Sequence, residues 1–416
     1  MRLMISFAAL FLSAVLLQLS SGGVVPLDAL SGIQLGFTTT EVGILGSMHF
    51  TGFLIGCWLA PRLMGTVGHS RAFAAFTALG AIGILSHMML VNPTAWALMR
   101  MMTGLCVAGC YTVIEAWMQA KLTNLNRGKV MGAYRVIDLG GSLAAQMMIS
   151  ILTPAAYMSY NLLAILCCAS LFPLTLTKAE PPEVSAAPRL RPIMAFRLSP
   201  LAVAGVIVAG LNGASFRMVG PVYAQEIGLT VSQIGLFLAV YVLGGAVAQI
   251  PIGYFADKVD RRWVLIILSI GTMASATAIT LITPGMVTTV FVAIFFFGIT
   301  GIPIYSVSTA HGNDFARPDQ VVELNASYML WYAIGAIASP LFASMLIQSF
   351  GPPALFYFIA FVHFVLITYS LYRMRSRPTN ERRTAYAYMP RTTFVLGKLL
   401  RRKSDRPPTP KGPDTP

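Results

Sequence analysis

Charge is what this chain has least of. Only 11% of its 416 residues are Asp, Glu, Lys or Arg, against roughly a quarter in a soluble globular domain. With 56% hydrophobic residues and a mean hydropathy of +0.71, it cannot cover itself with water-seeking groups. An ordinary soluble domain is excluded, and a polytopic membrane protein is indicated. Cysteine is also rare. Cys57, Cys106, Cys110, Cys167 and Cys168 all lie in apolar runs, with neither a disulfide framework nor a metal spacing, so they read as small packing residues. A Gly-x-Ser-x-Gly turn, a phosphate-binding glycine loop and an ATP-binding cassette are missing too. These absences argue against a membrane-embedded enzyme and a primary pump, and no cofactor or metal is expected.

What is present is a series of apolar runs of spanning length. A helix needs about 20 mostly apolar residues to cross a hydrocarbon core of roughly 30 Å. Twelve runs qualify, at 3–27, 43–63, 71–91, 94–117, 130–153, 157–177, 200–223, 233–252, 262–283, 286–309, 322–347 and 352–373. The formal charge of +14 invites a nucleic-acid partner, but its placement argues against one. With the N-terminus inside, every Lys and Arg except Arg100, Arg135 and Arg217 falls in an inward-facing segment. That satisfies the positive-inside rule and predicts a plasma (inner) membrane protein with both termini cytoplasmic. The run from Arg2 to Leu19, followed by Ser-Ser-Gly-Gly, has the look of a signal peptide. Its removal would leave eleven spans, so it is read as span 1.

The chain repeats itself. Tyr111 and Tyr305 are 194 positions apart, and the same offset pairs Tyr134 with Tyr328 and Gly141 with Gly335. Pro26 and Pro221 are expected to end spans 1 and 7. Thr-Glu-Val-Gly-Ile at 40–44 is similar to Ser-Gln-Ile-Gly-Leu at 232–236. The expected fold is therefore an all-α membrane protein of twelve transmembrane helices in two pseudo-symmetric six-helix bundles. The bundles are 1–177 and 200–373, joined by a cytoplasmic linker at 178–199 and followed by a basic tail at 374–416. The tail is too polar and proline-rich to fold alone, although Phe394 to Lys403 could lie on anionic lipid as a short amphipathic helix.

A six-plus-six chain with a basic central loop resembles the major facilitator superfamily, and its motifs strengthen the likeness. Gly253-Tyr-Phe-Ala-Asp257-Lys258-Val-Asp-Arg261-Arg262 is similar to that family's loop signature. An acid and several bases in a short loop can bond a neighbouring helix end and act as a cytoplasmic gate. In the equivalent first-half segment Pro61 takes the place of the acid, which puts the latch there in doubt. Arg100-Met-Met-Thr-Gly104 resembles the Arg-x-x-x-Gly signature of span 4, and Glu115 followed by Arg127-Gly128 the acid and Arg-Gly pair after it. The Gly-Pro motif of span 5 that marks many drug antiporters is missing. The resemblance implies a secondary transporter working by alternating access on a small organic solute, with the lipid bilayer and protons as further partners and a monomeric state.

Charges inside spans are the candidates for function, since each costs roughly 2.5–3.5 kcal/mol on insertion scales. Arg135 and Asp138 are three apart, so they share a helix face and can pair. With Glu115 they could form a structural network. Alternatively, the spare negative charge makes Asp138 the proton carrier, with Glu115 next, because burial favours a neutral acid. In the superfamily, spans 1, 4, 7 and 10 line the central cavity. The resemblance puts Arg100 and Arg217 there, where a guanidinium could grip an anionic cargo or simply snorkel to the interface. Gln18, Tyr111, Asn212 and Tyr305 complete the expected substrate-binding set. His49 reads either as a proton site or as a packing residue. An uncoupled facilitator, and a solute sensor signalling through the tail, remain rival readings.

Overall fold

The computed structural model describes residues 2–122, 127–176, 190–283, 285–317 and 320–376. All the regular structure among them is helical. The elements are α1 (Arg2–Gln34), α2 (Thr39–Val67), α3 (His69–Ser86), α4 (Pro93–Lys121), α5 (Arg127–Met148), α6 (Tyr157–Ala169) and α7 (Leu171–Thr175). They continue with α8 (Pro192–Leu198), α9 (Pro200–Glu226), α10 (Val231–Lys258), α11 (Arg261–Leu281), α12 (Val287–Gly301), α13 (Ile304–Asn313), α14 (Val321–Phe350) and α15 (Ala354–Ser376).

Ten helical stretches are long and apolar enough to cross a membrane, with α6–α7 and α12–α13 each counting as one. The chain is a multi-pass membrane protein. The other two expected spans fall on α3, which opens His69-Ser-Arg71, and on α5, which carries Arg127, Lys129, Arg135 and Asp138. Those polar residues explain why composition alone separates these two helices from the rest.

Helix starts are written locally. Thr38 caps α2, accepting from the Glu41 amide at 3.2 Å, while the Glu41 carboxylate accepts from the Thr38 amide at 2.7 Å. Thr230 and Gln233 repeat this reciprocal box at the start of α10, at 3.3 and 2.9 Å. Each box satisfies two amides that a helix end leaves orphaned. The similarity between 40–44 and 232–236 is thus a repeated helix start. Thr38→Ala and Thr230→Ala should each cost about 1 kcal/mol, read as a lower thermal midpoint in detergent. An unchanged midpoint would mean that other groups satisfy the amides.

Glycine sets how closely helices cross. A Cβ added at Gly52 of α2 would strike the Met101 carbonyl of α4, and one at Gly104 of α4 would strike the His49 carbonyl of α2. The same reciprocal contact recurs between α10 and α12, where Gly244 faces the Phe295 carbonyl and Gly298 the Tyr241 carbonyl. The glycine of Arg100-Met-Met-Thr-Gly104 is therefore a crossing point. Small residues let backbones touch, which matters in lipid, where apolar side chains gain little by leaving their solvent.

Helices α1 to α7 pack on one another, as do α9 to α15. Helix α14 also packs on α2, α10 on α5, and α1 on α9. Two further glycines sit on the first two of these contacts. A Cβ on Gly43 would meet the Ser344 side chain and Pro340 carbonyl, and one on Gly235 the Gln146 carbonyl and Ser150. The same ends are tied by Thr40 bonding Gln348 and by Ser150 donating to the Ser232 carbonyl at 3.4 Å.

Two expectations need correction. Pro26 and Pro221 do not end their helices but lie inside α1 and α9. Proline removes the amide that would bond the carbonyl four residues earlier. At Pro26 that carbonyl belongs to Gly22, and the Gln146 side chain of α5 donates to it at 3.4 Å. A neighbouring side chain thus supplies the missing bond, and the helix runs on to Gln34. The second correction is at the linker, whose last part is the helix α8. It is docked on α14 by Arg191 to Glu323 at 3.1 Å and by the Trp331 indole donating to the Pro192 carbonyl at 3.3 Å. The rest of the linker to residue 189, and the tail with its Phe394 to Lys403 stretch, lie outside the described residues.

Candidate functional site

A cavity of about 190 Å³ opens among α1, α2, α4, α5, α9, α10 and α14. Its walls include Gln18, Tyr111, Glu115, Arg135, Asp138, Arg217, His49 and one side of Arg100. Most of the predicted site residues are thus brought together. Phe50, Phe53, Tyr134, Phe216, Tyr241 and Tyr332 supply much of the remaining surface, the mixture of aromatic walls and a few polar groups expected of a small-molecule site.

Two predicted members do not line it. The Asn212 amide points at Gly301, where an added Cβ would strike its nitrogen. Tyr305 is buried behind Tyr332, edge-on at 5.3 Å between ring centroids. Asn212 lies on a cavity-forming helix, α9, but on another face, because membership of a span does not fix which side of the helix a residue occupies, and Tyr305 lies on α13, which gives the cavity no wall.

The acid cluster spans α1, α4 and α5. Arg135 and Asp138 pair at 3.5 Å, 17% and 25% exposed, so water reaches both from the cavity. The Tyr111 hydroxyl donates to Gln18 and lies 3.5 Å from the other Asp138 oxygen. Glu115 is fully buried and accepts from the Tyr134 hydroxyl at 3.2 Å. The two acids therefore occupy different settings, Asp138 wet and ion-paired, Glu115 dry and held by a phenol.

Arg100 has a partner that the sequence reading missed. Asp28, fully buried on α1, lies 3.3 Å from the Arg100 Nε and 3.4 Å from the His87 Nε2. His87 caps α3 with its Nδ1 2.7 Å from the Gly83 carbonyl. Since a carbonyl only accepts, Nδ1 carries a proton, and Nε2 is left facing a carboxylate. Trp96 and Tyr160 close the cluster with rings packed on His87. Arg100 is thus held from behind by an acid. The signal for Asp28 was an acid within the apolar run 24–33, hidden by ending span 1 at the proline.

The loop signature forms a compact clasp. Arg261 is buried and bonds Asp257 at 2.9 Å, Asp314 at 2.5 Å, and the Ala310 and Ala256 carbonyls at 2.9 and 3.1 Å. It thereby ties the end of α10 and the start of α11 to the end of α13, as the sequence logic of bonding a helix end anticipates. Arg262 pairs with the α11 cap Asp260 at 2.7 Å. Gly253 is buried one turn before Asp257. Lys258 turns away from the clasp onto the Tyr254 ring. In the first half, with Pro61 in place of the acid, Arg62 instead donates to the Trp58 carbonyl at 2.6 Å.

Among the described residues no cluster of His, Cys, Asp and Glu could hold a metal ion. Residues 201–405 match the Major Facilitator Superfamily model. The chain is 29% identical to the uncharacterized MFS-type transporter YcaD of Escherichia fergusonii over 335 residues, covering 79% of this chain and 85% of the relative. Its fold is similar to that of the nucleoside transporter NupG, with a TM-score of 0.76 at 14% identity over 89% of this chain and all of the other. It is also similar to a D-xylose–proton symporter, with a TM-score of 0.65 at 14% identity, covering 92% and 99% of the two chains. An all-helical multi-span fold with a mixed polar and aromatic cavity, together with these matches, makes the chain similar to the major facilitator superfamily. It is a multi-pass inner-membrane protein, similar along most of its length to MFS-type transporters.

Proposed function

We propose that the protein is a proton-coupled transporter of a small organic solute, with Asp138 as the proton carrier. In this reading residues 1–177 and 200–373 are two six-helix bundles, giving twelve spans with both termini in the cytoplasm. The observation that carries it is that one cavity takes walls from helices on both sides of the linker and holds an ion-paired, water-accessible acid. A proton on Asp138 would cancel its attraction for Arg135. The freed guanidinium could then turn to cargo or to Glu115, so that occupancy and protonation become linked. With the N-terminus inside, the α2–α14 and α5–α10 contacts lie at the outer end, and the molecule is closed outward. The clasp of Arg261 and Asp257, with Arg262 and Gly253 beside it, belongs to the inner end, as a gate, while Lys258 stands outside it. Of the two arginines read as anion grips, Arg100 pairs with Asp28, and Arg217 lines the cavity, where an acidic group on the cargo would meet it.

Asp138→Asn should abolish pH-driven uphill transport in proteoliposomes while leaving substrate exchange intact. Uphill transport that survives would favour an uncoupled facilitator, and loss of both activities would favour a structural network. Deleting residues 376–416 should leave transport unchanged, whereas a sensor signalling through the tail would lose its output. Cargo can be found by thermal unfolding against neutral, cationic and anionic metabolites. A true ligand at about 100 times its Kd stabilises by roughly 2.7 kcal/mol, and a shift by anions should be lost in Arg217→Gln.

A further inference from the structure

Two exposed pairs outside the cavity recur on the equivalent helices α2 and α10, one helical turn apart in the register of the repeat. On α2, Arg62 lies over the Trp58 ring, 3.9 Å from its centroid. On α10, Lys258 lies over the Tyr254 ring at 4.1 Å. Both pairs are four residues apart, and the offset from Trp58 to Tyr254 equals that from Arg62 to Lys258. Trp58 is 55% exposed and Tyr254 58% exposed.

Each pair ends a stripe of exposed apolar residues among the described residues. Arg62 and Trp58 continue the helical line of exposed Ile44 and Ile55, and Tyr254 and Lys258 that of Leu243, Val247 and Ile250. In a multi-pass membrane protein such stripes face lipid tails. An aromatic ring followed one turn later by a base then marks the level where tails give way to headgroups. A base in this position would ordinarily snorkel into water. Here the ring beneath it, and for Arg62 a bond to its own helix, hold it at the boundary. Two helices, one on each side of the linker, share one environment, the bilayer leaflet, and the recurring charge is positive.

We propose that these two aromatic–base pairs are seats for the headgroup phosphate of anionic phospholipids. The ring packs on the upper acyl chain and glycerol while the base meets the phosphate, a charge-assisted contact in a partly dehydrated layer. The seats rest on the proposed orientation only for their assignment to the cytoplasmic leaflet. The test uses nanodiscs, which present both leaflets, so its result does not depend on that assignment.

Wild-type protein in nanodiscs of equal parts phosphatidylglycerol and phosphatidylcholine should retain phosphatidylglycerol preferentially when its bound lipids are counted by native mass spectrometry. Arg62→Gln and Lys258→Gln should each lower that preference about fivefold, and the double variant about 25-fold, from the worth of one base near a membrane surface. Arg62→Lys should keep most of the preference. Arg71→Gln, which removes an exposed base at the start of α3, should leave it unchanged. Thermal unfolding in phosphatidylcholine nanodiscs should be the same for all variants, separating lipid preference from folding. An unaltered preference in the double variant, or an equal loss in Arg71→Gln, would overturn the seats in favour of diffuse surface charge.

Discussion

Asp28→Asn, isosteric but uncharged, should destabilise the protein by about 3–5 kcal/mol, the cost of leaving one member of a buried ion pair uncompensated. The argument is electrostatic. Arg100 is 1% exposed and its Nε lies 3.3 Å from the Asp28 carboxylate. Removing the acid strands a guanidinium that cannot shed its proton. The reverse change should hurt less. In Arg100→Met the acid keeps a polar neighbour, His87 at 3.4 Å. Combining the two should therefore recover much of the stability lost in Asp28→Asn, since an apolar replacement of a whole buried pair is often neutral. Thermal midpoints and size-exclusion profiles of both single variants and the double complete the cycle. A double variant no more stable than Asp28→Asn alone would show that the pair does not sustain the fold through its charge.

The second large effect is on motion. Gly43→Leu and Gly235→Leu should lower transport at least about tenfold while leaving the protein folded, because overfilling a packed contact costs about 1–3 kcal/mol and only one state makes that contact. Gly43 lies against Ser344 and the Pro340 carbonyl, and Gly235 against Ser150 and the Gln146 carbonyl, with no room for a Cβ. A side chain there penalises the state in which these ends are closed, and a cycle that must pass through that state slows. Spin labels at Thr40 and Gln348, which bond each other here, should report a longer mean distance in Gly43→Leu. Normal transport with a lengthened distance would mean that full closure of this end is unnecessary.

Much of the scaffold was legible because its signals are local or one-dimensional. Run length gives spans, a Thr with Glu or Gln three residues on gives a helix start, and recurrence at one offset gives the repeat. The ionisable residues that line the cavity were legible for the same reason, since charge in an apolar run costs energy whatever the fold. What failed needed the third dimension. Asn212 and Tyr305 were placed by span and not by face. Asp28 was lost because a proline was taken as a terminator, when Gln146, more than a hundred residues away in the chain, repairs the bond that Pro26 breaks. Arg100 was read as a grip for cargo without Asp28 beside it, because that partner had been placed outside the helix. The clasp is easier to read from sequence because Asp257, Asp260, Arg261 and Arg262 are neighbours in sequence as well as in space.

The reciprocal glycine crossings make each of the pairs α2–α4 and α10–α12 behave as a welded beam and not as a bearing. Where side chains interlock, one helix can slip past another by changing rotamers. Where the Met101 and His49 carbonyls lie against bare Cα atoms, no soft layer exists to shear. A force applied at one end of such a beam arrives undiminished at the other, so the flexing that exposes the cavity to each side must be borne by joints elsewhere in the chain.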